Sequence, residues 1–304
     1  MELVTLYSKS IGLETLIPPS EVTFDPDTGI SGLAVGVDIE IDNSGRVRLT
    51  KSGFTTLFSG SYHSLWRDTG DAFVCVGTNL YKINEDKSLH LVVGGLFGSY
   101  VDYAQLGIDT FYSNGYQHGF IRNATNNSWV YSDRTASPSL HHMKVVPAFN
   151  HLAIADNRIY FSIGDTLFWT EMGLYGLYTP ARNHVAFGSK IRMIRSVKGG
   201  LFVSTENWTW FLYGHDPHSF KQSYEPMGPP AHEWSVTSQH CDGMEIGLGR
   251  PGKCFFWTCD EGLCCGTSDG DIIITNKDSL IYPKANRGAS LLYGDQLLHV
   301  LWKI

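Results

Sequence analysis

Charge is scarce in this chain. Asp, Glu, Lys and Arg make up 17% of its 304 residues, against roughly 25% in ordinary soluble domains. Uncharged surface tends to be used in contacts, which points to a subunit of an assembly. An excess of basic residues is also missing: 23 Lys and Arg stand against 30 Asp and Glu, a formal net charge of −7. A groove that held nucleic acid for its own sake would be basic, so that class is excluded. There is no apolar run of the length, about 18 residues, that a membrane-spanning helix needs. The opening Met1-Glu2-Leu3-Val4 lacks the basic stretch and apolar core of a secretory signal. Finally, the chain carries no Gly-x-Ser-x-Gly elbow, no His-Glu-x-x-His and no Walker loop. The expectation is a non-enzyme with no catalytic residue, no cofactor and no metal.

What the chain does have is a repeat. Six times an apolar strand follows a Gly, Asp or Asn turn, and in five of the six a second apolar strand comes a few residues later. The copies begin at Ala72, Thr110, Ile159, Leu201, Leu263 and Leu297. In the first, Ala72-Phe73-Val74-Cys75-Val76 leads through Gly77-Thr78 to Asn79-Leu80-Tyr81-Lys82-Ile83; in the fourth, Leu201-Phe202-Val203-Ser204 leads to Trp208-Thr209-Trp210-Phe211-Leu212. Most spacings lie near the roughly 40–50 residues of a β-propeller blade. The runs are continuous rather than alternating, as expected of strands buried on both faces when blade packs on blade. The predicted fold is all-β, a six-bladed β-propeller, closed by pairing of the N-terminal strand around Leu3–Tyr7 with C-terminal strands. It is read as a single domain over residues 1–304. Residues 1–53 form an N-terminal extension, 54–304 form the blades, and an insertion around 227–250 accounts for the widest gap. A β-sandwich or barrel is the plainer alternative.

The six cysteines are Cys75, Cys241, Cys254, Cys259, Cys264 and Cys265. The last four are clustered, but Cys264 and Cys265 are neighbours on one strand and point to opposite faces, which does not suit one tetrahedral site. They read as buried apolar thiols. The pairs His141-His142, His215/His218, His232-Glu233 and His240-Cys241 read as solvated loop histidines. Carboxylates recur just before the first strand in five of the six copies, at Asp71, Asp109, Asp156, Asp260, Glu261 and Asp295. Recurrence at one place in a repeat is turn chemistry rather than the two unlike carboxylates a glycosidase needs. Trp208 and Trp210, inside the repeat, read as core between blades. Trp234, outside it, is the better contact residue, and Trp234, His232 and Arg250 are the candidate interface residues of the insertion.

Residues ahead of the first copy follow a different pattern. Val37, Ile39 and Ile41 alternate with Asp38, Glu40 and Asp42; Asn43-Ser44-Gly45 turns; Arg46-Val47-Arg48-Leu49 returns. This is a β-hairpin with an acidic strand beside a basic one, so that Asp38 or Glu40 can face Arg46 or Arg48. Gly53-Phe54 then leads to the blades. The pattern Val37, Asp38, Asp42, Asn43, Gly45, Arg46, Arg48, Gly53 and Phe54 resembles the N-terminal approach to the propeller in virion proteins of tailed bacteriophages, namely the packaged-DNA stabilisation and tail hub or nozzle proteins. The close resemblance covers about residues 30–85, and the chain departs from it at Ser52, where that family carries a basic residue. The resemblance implies a virion structural protein in the tail, assembled in the host cytoplasm. Its subunits would form a ring, sixfold in that family, that extends or closes the DNA channel below the portal and adaptor. Implied partners are further copies of the chain, portal, adaptor and other tail proteins, with a fibre or spike among them. DNA would pass without sequence-specific binding. The alternatives are a fibre-anchoring or glycan-receptor-binding propeller and, behind it, a carbohydrate-active enzyme.

Overall fold

The computed structural model describes residues 9–13, 24–25, 30–33, 39–41, 47–49, 61–67, 70–98, 100–129, 142–222, 226–237, 240–244, 249, 251–275, 277, 284–293 and 296–302. The chain forms two compact units. The smaller comprises residues 1–59 with 261–263 and 274–283; the larger comprises 60–260, 264–273 and 284–304. No helix among the described residues is long and apolar enough to cross a membrane.

In the smaller unit, Lys9–Leu13 runs parallel to Ile30–Leu33, which pairs antiparallel with Phe24–Asp25. The hairpin expected from the acidic and basic alternation is present. Ile39–Ile41 pairs antiparallel with Val47–Leu49, in a register that sets Glu40 opposite Arg48. Val37, Asp38, Asp42, Asn43, Gly45, Arg46, Gly53 and Phe54 lie outside the described residues.

The protein is an all-β propeller. Five four-stranded sheets follow one another along the chain, and a two-stranded hairpin follows them. The innermost strand and its neighbour form a tight hairpin in each of the first four sheets. These pairs are Tyr62–Arg67 with Ala72–Val76, Asp102–Leu106 with Asp109–Ser113, Leu152–Ala155 with Arg158–Ile163, and Ile191–Val197 with Gly200–Thr205. In the fifth sheet Cys241–Asp242 holds the first place, and Lys253–Cys259 and Gly262–Gly266 take the second and third; Arg287–Tyr293 with Gln296–Trp302 forms the last hairpin. Five of the six sequence copies therefore mark the second strand of such a hairpin, and the copy at Leu263 marks the third strand of its sheet. The connecting turns are built for it: Asp156 and Asn157 both adopt positive φ (48° and 57°), the geometry of a two-residue turn that matches strand twist.

Five blades, not six, are complete among the described residues. The sixth copy supplies only its first two strands before the chain ends, and the expected closing strand around Leu3–Tyr7 lies outside the described residues. The fifth sheet also differs from the rest. Part of the 227–250 segment, Cys241–Asp242, adds a short edge strand beside Lys253–Cys259.

The cores lie between sheets. One joins the first and second blades through Trp66, Phe73, Tyr103, Tyr112 and Ile121. The next joins the second and third through Phe111, Trp129, Phe149 and Phe161, and another the third and fourth through Tyr160, Ile194, Leu201 and Val203. Strands Asp109–Ser113 and Gly200–Thr205 are buried at every residue, as their continuous apolar runs required. Between the fourth and fifth blades Phe202 meets Trp257 at 5.5 Å, over Gly266. A methyl carbon on Gly266 would lie 2.6 Å from the Trp257 ring and 2.8 Å from Phe202. Gly266→Ala is therefore expected to destabilise the propeller by about 1–3 kcal/mol through overpacking, read as a lowered Tm. An unchanged Tm would show that this interface is loose.

Candidate functional site

The inner strands of successive sheets lie side by side and leave two cavities between them. The first, of about 420 Å³, is walled by the N-terminal ends of the inner strands, by Trp234 and Val236, and by Gly288–Ser290. The second, of about 630 Å³, lies toward their C-terminal ends, beside Arg67, Gln105, Ile154 and Phe255. Trp66, Tyr103 and Arg195 line both and form the partition.

A buried charge network stands at that partition. Asp102, the first residue of its strand, accepts hydrogen bonds from the backbone N–H of Tyr103 (3.0 Å) and of Leu152 in the next blade (3.1 Å). Arg195, from the fourth blade, reaches both of its oxygens, at 3.2 and 3.4 Å. Arg195 Nη1 also donates to the Ile194 carbonyl at 2.8 Å. His151 sits between two carboxylates, with Nδ1 3.7 Å from Asp102 and Nε2 3.7 Å from Glu233. These are charge contacts, longer than hydrogen bonds. Glu233 is in turn held by Lys190 at 2.8 Å and Arg287 at 3.6 Å. Its backbone pairs with the last hairpin, donating to Asn286 O and accepting from Gly288 N.

Burial opposes ionisation of Asp102, but the Arg195 charge and His151 outweigh it and hold the carboxyl down at about 2. Glu233 is likewise lowered to about 2: His151 and Lys190 overcome its burial. Burial favours the neutral form of His151, yet Asp102 and Glu233 on either side raise its affinity for a proton above the ordinary range. Both acids are thus ionised and engaged by cations, which suits them to fasten strands together rather than to exchange protons.

The outer wall of the first cavity is aromatic. Trp234 stacks on Tyr100 (centroids 5.7 Å apart, 24° between planes) and lies 4.5 Å from His151. Tyr100 is flanked by His63 and by the Arg287 guanidinium. Two non-glycine residues here take positive φ, Ser64 at 54° and Trp234 at 69°. Ser64 sits at a break in strand register between His63 and Trp66, where it turns its hydroxyl to the Val101 N–H at 2.8 Å.

The structure places the sequence-predicted residues as follows. Trp234 is in the cavity wall, not on an outward loop. His232 is buried rather than solvated, bonded to Thr258 at 3.1 Å and Asp260 at 2.9 Å, so it pins the 232–235 segment to Lys253–Cys259. Arg250 lies outside the described residues. Of the other loop histidines, His142, His215, His218 and His240 are exposed. Trp208 is not core: it precedes Thr209–Tyr213 in a turn anchored on Thr205 and is 51% exposed, while Trp210 is half-buried against Phe187. The recurring acids are engaged by bases, as in Asp71–Lys82, Asp109–Arg122 and Glu261–Lys277. All six cysteines are buried and none forms a disulfide, and no group of potential metal ligands occurs among the described residues. Cys264 touches Cys259 at 3.4 Å.

Sequence reasoning missed Asp102, His151, Lys190, Arg195 and Arg287. A signal was present: Asp102 follows Val101 and precedes Tyr103, and Arg195 interrupts the apolar Met193-Ile194 and Val197. An ionisable residue inside an apolar strand is more informative than an apolar one.

No protein-family model matches the chain, and no curated protein matches it. Among solved structures, the chain is similar to a gluconolactonase from Xanthomonas campestris, at 11% identity and a TM-score of 0.51, covering 81% of this chain and 86% of that one. A streptogramin B lyase structure aligns with a TM-score of 0.48 and 12% identity, over 79% of this chain and 76% of that one. The extracellular domain of a putative hybrid two component system from B. thetaiotaomicron aligns with the same score and identity over 79% of this chain, which spans 30% of its length. At such identities the likeness shows the propeller fold alone.

Asp102 and Glu233 have depressed affinities for protons, so their contribution to stability is complete above the ordinary carboxylate range and is lost as pH falls through about 2. For Asp102 that linkage is worth about 2 kcal/mol. Asp102→Asn, which strands the buried Arg195 charge, is expected to cost about 3–5 kcal/mol at pH 7 and to flatten the acid limb between pH 4 and 2 in denaturant titrations. The same stability and the same acid limb as the parent chain would show that the network does not hold the blades.

Proposed function

We propose that the chain is a virion structural protein, a subunit of the tail nozzle or hub of a tailed bacteriophage. The observation that carries this reading is the arrangement behind the resemblance. The strands of a β-propeller are preceded in the chain by residues 1–59, which make most of a second compact unit and hold a hairpin that sets Glu40 opposite Arg48. In this reading Arg287–Tyr293 and Gln296–Trp302 begin a sixth blade, completed by strands from outside the described residues. Copies assemble as a sixfold ring against portal and adaptor. The centre of each propeller is filled by Trp66, Tyr103 and Arg195, so DNA would pass between subunits rather than through one. A net charge of −7 gives such a passage little hold on a polyanion.

Contact surface of the right kind is available. Phe97 and Tyr116 are 67% and 70% exposed, with ring centroids 6.2 Å apart. Exposed aromatics that pack on one another are typical anchors of an interface. Trp234 faces the cavity, which leaves a receptor-binding role resting on that residue without support, and no enzymatic role is proposed.

The test is reconstitution. Purified full-length chain mixed with portal–adaptor complexes should add as a ring, visible as a discrete mass increment in native mass measurement. Phe97→Ser with Tyr116→Ser should weaken that addition by about tenfold or more while leaving the Tm unchanged. Failure to bind portal–adaptor complexes would count against the reading.

A further inference from the structure

We infer that the 420 Å³ cavity is a binding site for a small carboxylate with a flat, apolar body. Its size lies within the roughly 300–1,000 Å³ of small-molecule sites. Its walls are mostly apolar: the stacked Trp234 and Tyr100, with Val101, Val236 and Ala289. A lining of this kind suits an apolar body.

The charges around the cavity are unbalanced in favour of an anion. Asp102 and Glu233 are answered by Arg195, Lys190, Arg287 and His151. One further cation lines the cavity, Arg192, and the ion pair it makes is long: 3.8 Å to Glu206, whose side chain is 46% exposed. A ligand carboxylate could give that guanidinium the short, two-pronged contact that Glu206 does not.

The same wall argues against a neutral sugar, which needs many hydrogen-bonding partners. The Ser64 hydroxyl is occupied by the Val101 N–H, Ser290 donates to the Ser235 carbonyl, and both Asp102 oxygens are taken. Backbone strain marks the place independently. Ser64 and Trp234, both in the cavity lining, hold positive φ, at a cost of about 1–3 kcal/mol each. Ser64 sits at a register break of the kind that re-aims side chains beside binding sites. The site does not depend on assembly of the chain into a ring.

Calorimetric titration of the full chain tests the inference. The probes are benzoate and indole-3-acetate, with benzyl alcohol and indole as neutral counterparts and methyl glucuronide as an acidic sugar. The two aromatic carboxylates should bind saturably at one site per chain, about tenfold or more tighter than their neutral counterparts. Arg192→Met, at a partly exposed position, should abolish that preference and leave the Tm and the binding of indole unchanged. The inference is overturned by any of three results: no saturable binding, equal affinity for charged and neutral probes, or glucuronide binding tighter than both aromatic acids. Retention of the preference by Arg192→Met would also overturn it.

Discussion

One buried carboxylate, Asp102, fastens three blades at once. It belongs to the inner strand of the second blade, takes the Leu152 N–H of the third and the Arg195 guanidinium of the fourth. Apolar faces between sheets supply most of the attraction, but that attraction has no direction. The charged contacts have both length and angle, so they fix how neighbouring inner strands stand against each other. Burying the ions is costly, and at Asp102 the cost is offset by hydrogen bonds to both of its oxygens. Glu233 extends the same arrangement through His151 and Lys190 to the last hairpin, where Arg287 meets it. That is how a segment outside the repeat, 232–235, comes to bind the chain's end to its middle.

The partition these residues form also decides what the propeller can be used for. Trp66, Tyr103 and Arg195 line both cavities, and one opens among aromatic side chains while the other is edged by polar ones. Around the rim, ion pairs such as Asp71–Lys82 and Asp109–Arg122 occupy equivalent places in the first and second blades. They tie the second strand of each blade to the third. Rim and partition thus both use charges for holding strands.

The strand pairs were legible in the sequence because their signal is local. Turn residues before an apolar run mark the inner hairpin, and Ala72, Thr110, Ile159, Leu201 and Leu297 each fall in its second strand, while Leu263 falls one strand further out, because the first strand of its sheet comes from the 227–250 segment. The hairpin at 39–49 was legible for the same reason. Blade completion was not, because the strand that completes a sheet can come from elsewhere in the chain. The network was also hidden. Asp102 and Arg195 are 93 residues apart, and nothing in the neighbourhood of either names its partner. His232 was read with the loop histidines because its partners, Thr258 and Asp260, come from the following strand and turn. Trp208 was read as core from its place in the repeat, whereas the turn on Thr205 lifts it out of the strand.

The proposed role at the tail of a virion requires the propeller to be held in a ring by its neighbours. Electron cryo-microscopy of the native particle tests that most directly. The account predicts a ring of propellers below the portal and adaptor, each with a sixth blade begun by residues 287–302 and each filled at its own centre, with the DNA path between subunits. Density for isolated propellers at the particle's periphery, or a particle that lacks the chain, would contradict it.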